Sequence, residues 1–528
     1  MLPKSIDFMD TGKPGFRVVK EPDAMKDGIS RREFVKVVGM GTAGMGRLLM
    51  AEDEKKESQM SNKGMCIGKM LRVQPVLVYR LYERKQAKSW REWGGLKTLQ
   101  DVEAECARIR KELASLQAKA EFALEMLELM QVNSDSAAAA AKASDCDAYL
   151  VYAAGAGGPG AGRRDWLELL ANTGKPNVMF LRHKSGPVYL WYEIAHPRLL
   201  RKGSDEYQQA RMDIHDVVVD DTGEVLWRLR CLYGLKNIMG SRIVAVGGPG
   251  GWGHPESAPA DARKIWKLDI RTVEYGTFGP RLNEFRSDST RIKEAEECSR
   301  KYLADGIKAV QTERNFIVNA FLLAAFLKTL MAEADAQAVT INNCMNIGKI
   351  TGTTPCLAFS VINDTGSMAF CESDFVVIPS GILLRHISGR PVFLNDPTWP
   401  HDGVVTIAHC SAPRRMNGND LEPANVLTHC ESDYGAAPKV LFRKGQTVTN
   451  LIPNFDSTKW LGFTGKIIDH PAYDICRSQM DITIDGDWRK LLEDMRGFHW
   501  MTCYGDYMKE VGYALGKVGI KWENLTLA

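Results

Sequence analysis

The chain has 528 residues, of which 45% are hydrophobic, so it is long enough to bury more than one core and two or three domains are expected. Its 68 basic and 65 acidic residues leave a net charge of +3, which argues against a nucleic-acid partner and against an electrostatic funnel for acidic substrates. The 12 cysteines are scattered without CxxC pairs, so they indicate buried thiols and not a disulfide scaffold.

The N-terminus has the form of a twin-arginine export signal. Arg31 and Arg32 precede a short, glycine-rich apolar stretch at 37–45, which is far shorter than the roughly 20 residues of a membrane-spanning helix. The pattern predicts a signal and linker over 1–64, with the twin-arginine translocase as a transient partner and the periplasm as the destination. Arg47 and the lack of a clear small-residue cleavage site favour the alternative, an ordinary basic segment with a short apolar tail. The protein would be cytoplasmic if the signal is vestigial.

Strand and helix patterns alternate after residue 70, which predicts a first α/β domain with a parallel sheet over 65–240. Buried strands are expected at 72–79, 148–152, 177–181 and 216–219. Apolar residues recur at helical spacing over 99–130, 166–171 and 224–235.

A second α/β domain is expected over 241–360. It opens with a strand pattern at 242–247, and its long helix is predicted at 292–331. The last domain, 361–528, is predicted to be mainly β, because short β-rich runs separated by Gly, Asn, Asp and Pro follow Gly389. These runs lie at 404–407, 439–442, 447–449 and 466–468.

Two loops match the phosphate-binding pattern GxGxxG, with glycines at 155, 157 and 160 in the first and at 248, 250 and 253 in the second. Each follows a predicted strand, but Pro159 and Pro249 each remove a backbone donor. Tight turns at the carboxyl ends of strands are therefore favoured over dinucleotide binding. Trp252 and His254 in the second loop are placed to touch a ligand in a cleft.

Two acids and three histidines on separate segments of the last third are the candidate functional residues: Glu372, Asp374, His409, His429 and His499. Carboxylate and imidazole groups suit Mn²⁺ or a related divalent ion. Converging on one ion, they would form a site for a metal and a polyol. The two acids are two residues apart, so on one strand they would point the same way.

The motifs around these residues resemble the superfamily of L-fucose isomerase and L-arabinose isomerase, from about Asn342 to the C-terminus. The N-terminal half is similar only in its rhythm of strands and helices. The resemblance implies two Rossmann-like α/β units with parallel sheets, a mainly β C-terminal domain and a homo-oligomer. The motifs that carry it are Cys356-Leu-Ala-Phe-Ser360, Asn363-Asp-Thr-Gly366, Cys371-Glu-Ser-Asp374, Ser388-Gly-Arg-Pro-Val-Phe393, His409-Cys-Ser-Ala-Pro413, His429-Cys-Glu-Ser432 and Tyr504-Gly505.

By this resemblance the protein is expected to be an aldose–ketose isomerase that acts on a monosaccharide or a small glycan. Asp374 and His499 would be ligands of a divalent metal, Mn²⁺ in particular, and Asp374 would also take part in proton transfer. Glu372 would support catalysis or bind the polyol.

The resemblance also implies groups that bind the substrate. His409 and His429 would hydrogen-bond sugar hydroxyls or orient ligands. Trp399 and Trp500 offer apolar faces for a sugar ring.

One departure from the family pattern concerns an acid upstream of the Glu-x-Asp motif, which in the family acts as a base and a metal ligand. Here the aligned position holds Asn346 or Asn343. An amide oxygen can coordinate a cation, but it cannot take a proton from carbon. Two alternatives therefore stay open: a glycosidase-like enzyme that uses Glu372 and Asp374 as acid and base, and a non-catalytic sugar-binding protein.

Overall fold

The computed structural model describes residues 68–90, 94–155, 165–189, 212–493 and 497–527. The predicted twin-arginine signal and linker lie outside these residues, as does most of the first glycine-rich loop. The described residues belong to one compact unit of the chain. Within them, two parallel-sheet units precede an antiparallel β-barrel, which confirms the prediction of a mixed α/β protein with a β-rich C-terminal domain.

The first unit carries a parallel sheet. Its described strands are β1 Leu71–Val78, β2 Leu124–Met126, β3 Met130–Val132, β4 Ala148–Ala153, β5 Asn177–Leu181 and β6 Val217–Val219. They lie in the order β2-β1-β4-β5-β6, with β3 also beside β1. Its described helices are α1 Leu99–Lys119, α2 Asp135–Lys142, α3 Trp166–Ala171 and α4 Thr222–Ile238.

Helix α1 begins at a capping box, in which Thr98 and Asp101 satisfy each other's backbone N–H groups. The prediction of helix over 99–130 is wrong beyond Lys119. There the chain enters β2 and β3, whose backbone groups pair with β1. The apolar spacing therefore continued into two short strands, of which β2 packs on the same core as α1 and β3 on a second core.

The second unit carries another parallel sheet, with β7 Arg242–Val246, β8 Asp269–Val273, β10 Ala338–Ile341 and β11 Met368–Cys371 in the order β11-β10-β7-β8. Strand β9, Ile307–Gln311, instead pairs with a strand of the C-terminal domain, Ala424–Leu427. The helices of this region are α5 Ser257–Trp266, α6 Tyr275–Ser287, α7 Ser289–Ala304, α8 Arg314–Glu333, α9 Gly348–Thr351, α10 Cys356–Asp364 and α11 Ile378–Ser388.

The single long helix predicted at 292–331 is wrong, because β9 separates α7 from α8. Gly306 adopts φ +71 and ends the helical segment before the strand. Helix α8 is the one helix among the described residues that is long and apolar enough to cross a membrane. More than half of its apolar window is buried, which is also typical of a core helix.

The C-terminal region is a barrel of mainly antiparallel strands around a core of its own. The strands of this sheet are β12 Phe393–Pro397, β13 Val404–His409, β16 Thr447–Pro453, β17 Lys459–Asp469, β18 Ser478–Thr483, β19 Trp500–Tyr504 and β20 Lys521–Asn524. Strands β14 Ala424–Leu427 and β15 Ala437–Val440 form a separate sheet with β9. The order β16-β19-β12-β13-β18-β17 closes through pairing of β16 with β17. Helices α12 Lys490–Glu493 and α13 Met508–Val518 complete it.

The change from parallel to antiparallel structure comes later than the expected boundary at residue 361. Strand β11 still pairs in parallel with β10 of the second sheet. The antiparallel strands begin at Phe393, so α11 connects the two architectures. The segment after β11 consequently lies where the second sheet meets the barrel.

Candidate functional site

A strained turn after β11 holds the first site residue. Glu372 and Ser373 have φ of +61 and +50, a left-handed conformation that is unusual for residues with a side chain. The Ser373 N–H donates to Thr340 Oγ1 at 3.0 Å, and the Ser373 carbonyl accepts from Gly250 N–H at 3.1 Å. The placement of both acids on one strand is therefore wrong, because β11 ends before Glu372 and the turn separates it from Asp374.

Asp374 is buried and has both carboxylate oxygens occupied. Oδ1 accepts the backbone N–H groups of Trp252 and Val376, each at 3.1 Å. Oδ2 lies 2.7 Å from Nδ1 of His499, a residue just before β19. The second glycine-rich loop, which contains Trp252, thus holds Asp374 in place and does not resemble a phosphate cradle.

His499 is 1% exposed, and its Nδ1 faces Asp374, so its Nε2 is the free coordinating atom. Nε2 lies 3.5 Å from Glu372 Oε2 and 3.3 Å from Asp396 Oδ1. Among the described residues, no hydrogen-bond partner is found for His499 Nε2 or for Asp396 Oδ1. The two atoms face each other as an ion pair without a hydrogen bond, and buried polar atoms that lack a hydrogen bond are uncommon in folded proteins.

Glu372, His409 and His499 each offer a ligand atom, and these three atoms lie within 4.8 Å of one another. His409 ends β13, is held at Nδ1 by Ser411 Oγ at 2.9 Å, and has Nε2 3.9 Å from Glu372 Oε1. One carboxylate and two imidazoles are a donor set that divalent transition ions accept. The group could therefore hold a metal ion, and its oxygen and nitrogen donors alone do not select Mn²⁺.

The charges of this group shift the pKa of each carboxyl differently. Burial acts to raise the pKa of Glu372, but the contact with His499 and the charges of the nearby histidines more than offset it, so this pKa is lowered. Burial raises the pKa of Asp396, and the histidine charges only partly oppose it.

The same contacts change the pKa of His499. Burial acts to lower it, yet the hydrogen bond to Asp374 and the nearby carboxylates of Glu372 and Asp396 raise it to about 10. A proton is therefore held strongly at this imidazole, and a metal ion would have to replace the proton on Nε2.

Other predicted site residues lie apart from the close group. His429 is hydrogen-bonded through Nδ1 to Ser432 Oγ at 3.0 Å, and its charge contributes to the lowered pKa of Glu372. Trp500 packs in the barrel core against Phe463, so it is not placed to face a sugar. Side chains alternate between the two faces of β19, and Trp500 lies on the face that packs into the barrel core. The expected role of Trp500 as an apolar face for a sugar ring is therefore wrong.

Two more predicted residues are exposed. Trp399 follows β12 and is 73% exposed. Asn346 is exposed in a 3-10 turn after β10, and its amide donates to Asn343 Oδ1. The upstream position at which the resemblance expects an acid thus carries an amide that is bonded to its own turn.

Sequence reasoning missed two members of the site. Asp396 was not among the candidate residues, but it lies on β12 beside His499. Phe498 stacks on Trp252 with ring centroids 4.1 Å apart, and Trp252 is 49% exposed. Phe498 could have been found from its position next to His499. Asp396 could have been found as a carboxylate within the predicted β domain.

No protein-family model and no curated protein matches this chain.

Proposed function

We propose that Glu372, His409 and His499 bind one catalytic divalent metal ion, with Asp396 as a further donor or proton carrier. The convergence of three ligand atoms within 4.8 Å is the observation that carries this proposal. The buried Nε2 of His499 fits it as well, because this atom has no hydrogen bond among the described residues and an ion would satisfy it. Mn²⁺, Zn²⁺ and Fe²⁺ are all compatible with the donors, and Mn²⁺ is proposed from the resemblance.

In this arrangement Asp374 positions a ligand instead of binding the metal. Ligating histidines commonly donate their other N–H to a carboxylate, which fixes the ring and its tautomer. Asp374 Oδ2 has this relation to His499 Nδ1, and Oδ1 is taken by two backbone N–H groups. The roles expected for Glu372 and Asp374 are therefore exchanged in our proposal.

We propose that the reaction is an aldose–ketose isomerisation or a related proton transfer on a sugar, in an L-fucose isomerase-like fold. A bound divalent ion would hold adjacent sugar oxygens and stabilise the negative charge of an enediol. The chain must supply a group that moves a proton between neighbouring carbons. Because Glu372 would bind the metal, Asp396 is the carboxyl that would move this proton. It would replace the acid that the family carries at the position of Asn346.

The surroundings of the cluster fit a polyol. The exposed face of Trp252, held by its stack on Phe498, offers an apolar surface beside the ligand atoms. A glycosidase that uses Glu372 and Asp374 as acid and base receives less support, because the oxygens of Asp374 already accept three hydrogen bonds. Export through the twin-arginine pathway and a homo-oligomeric state remain proposals from the sequence.

Elemental analysis and solvent exchange test this function together. The purified protein is loaded with Mn²⁺ and incubated with a panel of aldoses and ketoses in D₂O, and NMR follows deuterium at the carbons next to the carbonyl. We expect about one metal ion at this site and exchange with at least one sugar. E372Q should lose both, and E422Q, which changes a buried glutamate bonded to the Tyr504 hydroxyl, should lose neither.

Two outcomes contradict the proposal at different levels. A metal that stays bound in E372Q would exclude the proposed ligand group. A metal that depends on Glu372 but supports no exchange across the panel would retain the site and refute the sugar chemistry.

A further inference from the structure

Two buried thiols adjoin Glu372. Cys371 is the last residue of β11, and Cys344 begins the 3-10 turn Cys344–Asn346 that follows β10. Because β10 and β11 are neighbouring parallel strands, both cysteines lie at the same carboxyl edge of the second sheet. Their Sγ atoms are 3.1 Å apart, and Cys344 is 5% and Cys371 3% exposed. Neither thiol is used by the proposed sugar chemistry.

These thiols form a second group of close ligand atoms. Cys344 Sγ, Cys371 Sγ and a Glu372 oxygen all lie within 4.8 Å of one another. Two sulfurs on one tetrahedral Zn²⁺, each about 2.3 Å from the ion, are separated by roughly 3.8 Å. A small rotation of either side chain would open the observed pair to that separation. Thiolate ligands select Zn²⁺ and similar ions over Mn²⁺, so this group differs in preference from the histidine group.

The backbone beside these thiols has an unusual conformation. Glu372 and Ser373 are consecutive left-handed residues, and neither is a glycine. Such conformations persist where the surroundings hold them, and they cluster at ligand-binding sites. An ion bound by the adjacent side chains of Cys371 and Glu372 would hold the first of these residues directly.

We propose that Cys344, Cys371 and Glu372 bind a second divalent ion of the Zn²⁺ class, beside the histidine group and sharing the Glu372 carboxylate with it. The two thiols each lose a proton to solvent when the ion binds, since only the thiolate is a ligand. The inference shares Glu372 with the proposed function, but it requires no sugar chemistry. The second ion would fix the turn that aims Glu372 at His409 and His499.

Cobalt substitution tests this site in the full-length protein. The protein is reduced, stripped with a chelator and titrated with Co²⁺, while near-ultraviolet absorption follows thiolate-to-cobalt charge transfer. We expect two equivalents of Co²⁺ per chain, with the sulfur absorption and thiol proton release accompanying one of them. C344S should lose that absorption and one equivalent, and H409Q should keep the absorption.

A matched control is available within the chain. The Cys231 thiol donates to the Trp227 carbonyl at 3.0 Å, and a serine can make the same hydrogen bond. C231S should therefore behave as the parent does in both equivalents and absorption. Thermal unfolding of each variant checks that the loss of an ion is not a loss of the fold.

The titration of the parent decides the matter even when a variant is unstable. One equivalent without sulfur absorption would overturn the second site, and so would absorption that persists in C344S. A Cys344–Cys371 disulfide in the freshly purified protein, found by counting thiols after denaturation, would also overturn it. Sulfur absorption with a single equivalent that H409Q does not change would instead count against the histidine site and leave this inference standing.

Discussion

Replacing Asp374 by asparagine distinguishes a positioning carboxylate from a metal ligand. The native Oδ1 accepts two backbone N–H groups, from Trp252 and Val376, and Oδ2 faces His499 Nδ1 at 2.7 Å. Asparagine keeps the shape but has only one oxygen. When this oxygen serves the backbone groups, the amide nitrogen donates to Nδ1 of His499, and the imidazole proton moves to Nε2. That proton occupies the atom we assign to the metal.

The expected loss is moderate because D374N removes no ligand. Mutation of a carboxylate that orients a ligating histidine costs about 10- to 100-fold in metal affinity, or about 1.4 to 2.8 kcal/mol. The hydrogen bond itself gives a similar range, since bonds to charged groups contribute about 1.5 to 3 kcal/mol. E372Q removes a charged oxygen from the ligand group, so it should weaken binding more than D374N does.

Competition with a chromogenic chelator at one pH measures these affinities for Mn²⁺ and Zn²⁺. D364N is the control, because Asp364 is a buried aspartate outside the ligand group whose Oδ1 accepts the Arg415 N–H at 2.7 Å. It should bind metal as the parent does. The reasoning is refuted when D374N abolishes binding and E372Q keeps most of the affinity of the parent, since Asp374 would then be the direct ligand.

D396N should keep the metal but reduce sugar proton exchange by about 10²- to 10⁴-fold, the usual contribution of a general acid or base; NMR exchange rates equal to the parent's would exclude Asp396 as the proton carrier. A metal at 100 times its Kd should stabilise the parent by about 2.7 kcal/mol, seen as a higher thermal midpoint, and an equal rise in E372Q would contradict the ligand assignment. Burial raises the pKa of Asp364 to about 7, so the unfolded chain loses this proton near pH 4 and the folded protein only near pH 7. The free energy of unfolding should therefore fall as pH rises through this interval, by up to roughly 4 kcal/mol. Urea unfolding at several pH values should show a smaller fall in D364N than in the parent. An equal dependence of the unfolding free energy on pH in the two proteins would refute this.

Runs of apolar residues correctly predicted the buried strands of the parallel sheets. The strand patterns at 72–79 and 242–247 correspond to β1 and β7, which are buried runs of apolar residues in parallel sheets. The interval 292–331 marks the limit of such patterns. Its apolar residues are spaced for a helix on both sides of Gly306, but the strand after it pairs with Ala424–Leu427. A pairing partner so far along the chain leaves no trace in local spacing.

In the site, the residue types could be predicted from the sequence, but the roles of the residues could not. Glu372, His409 and His499 were candidates because their side chains suit a metal, and the structure places their ligand atoms together. Their roles depend on contacts that the sequence does not show. Asp374 is turned toward His499 by a backbone N–H of Trp252. Asp396 reaches His499 because β12 pairs with β13 and β19, which no local motif specifies.

The charges of the cluster support the proposal of a bound cation. Glu372, Asp374 and Asp396 surround the single imidazole of His499, and carboxylates buried together repel one another. Burial and, to a smaller extent, the charge of Glu372 raise the pKa of Asp396, and the histidine charges oppose this rise only in part. A divalent ion would offset the repulsion among these carboxylates. Glu372 follows β11 of the second sheet, whereas Asp396 and His499 belong to the barrel. An ion bound to Glu372 and His499 would therefore also hold the sheet and the barrel together. For this reason the stabilising effect of the ion should depend on Glu372.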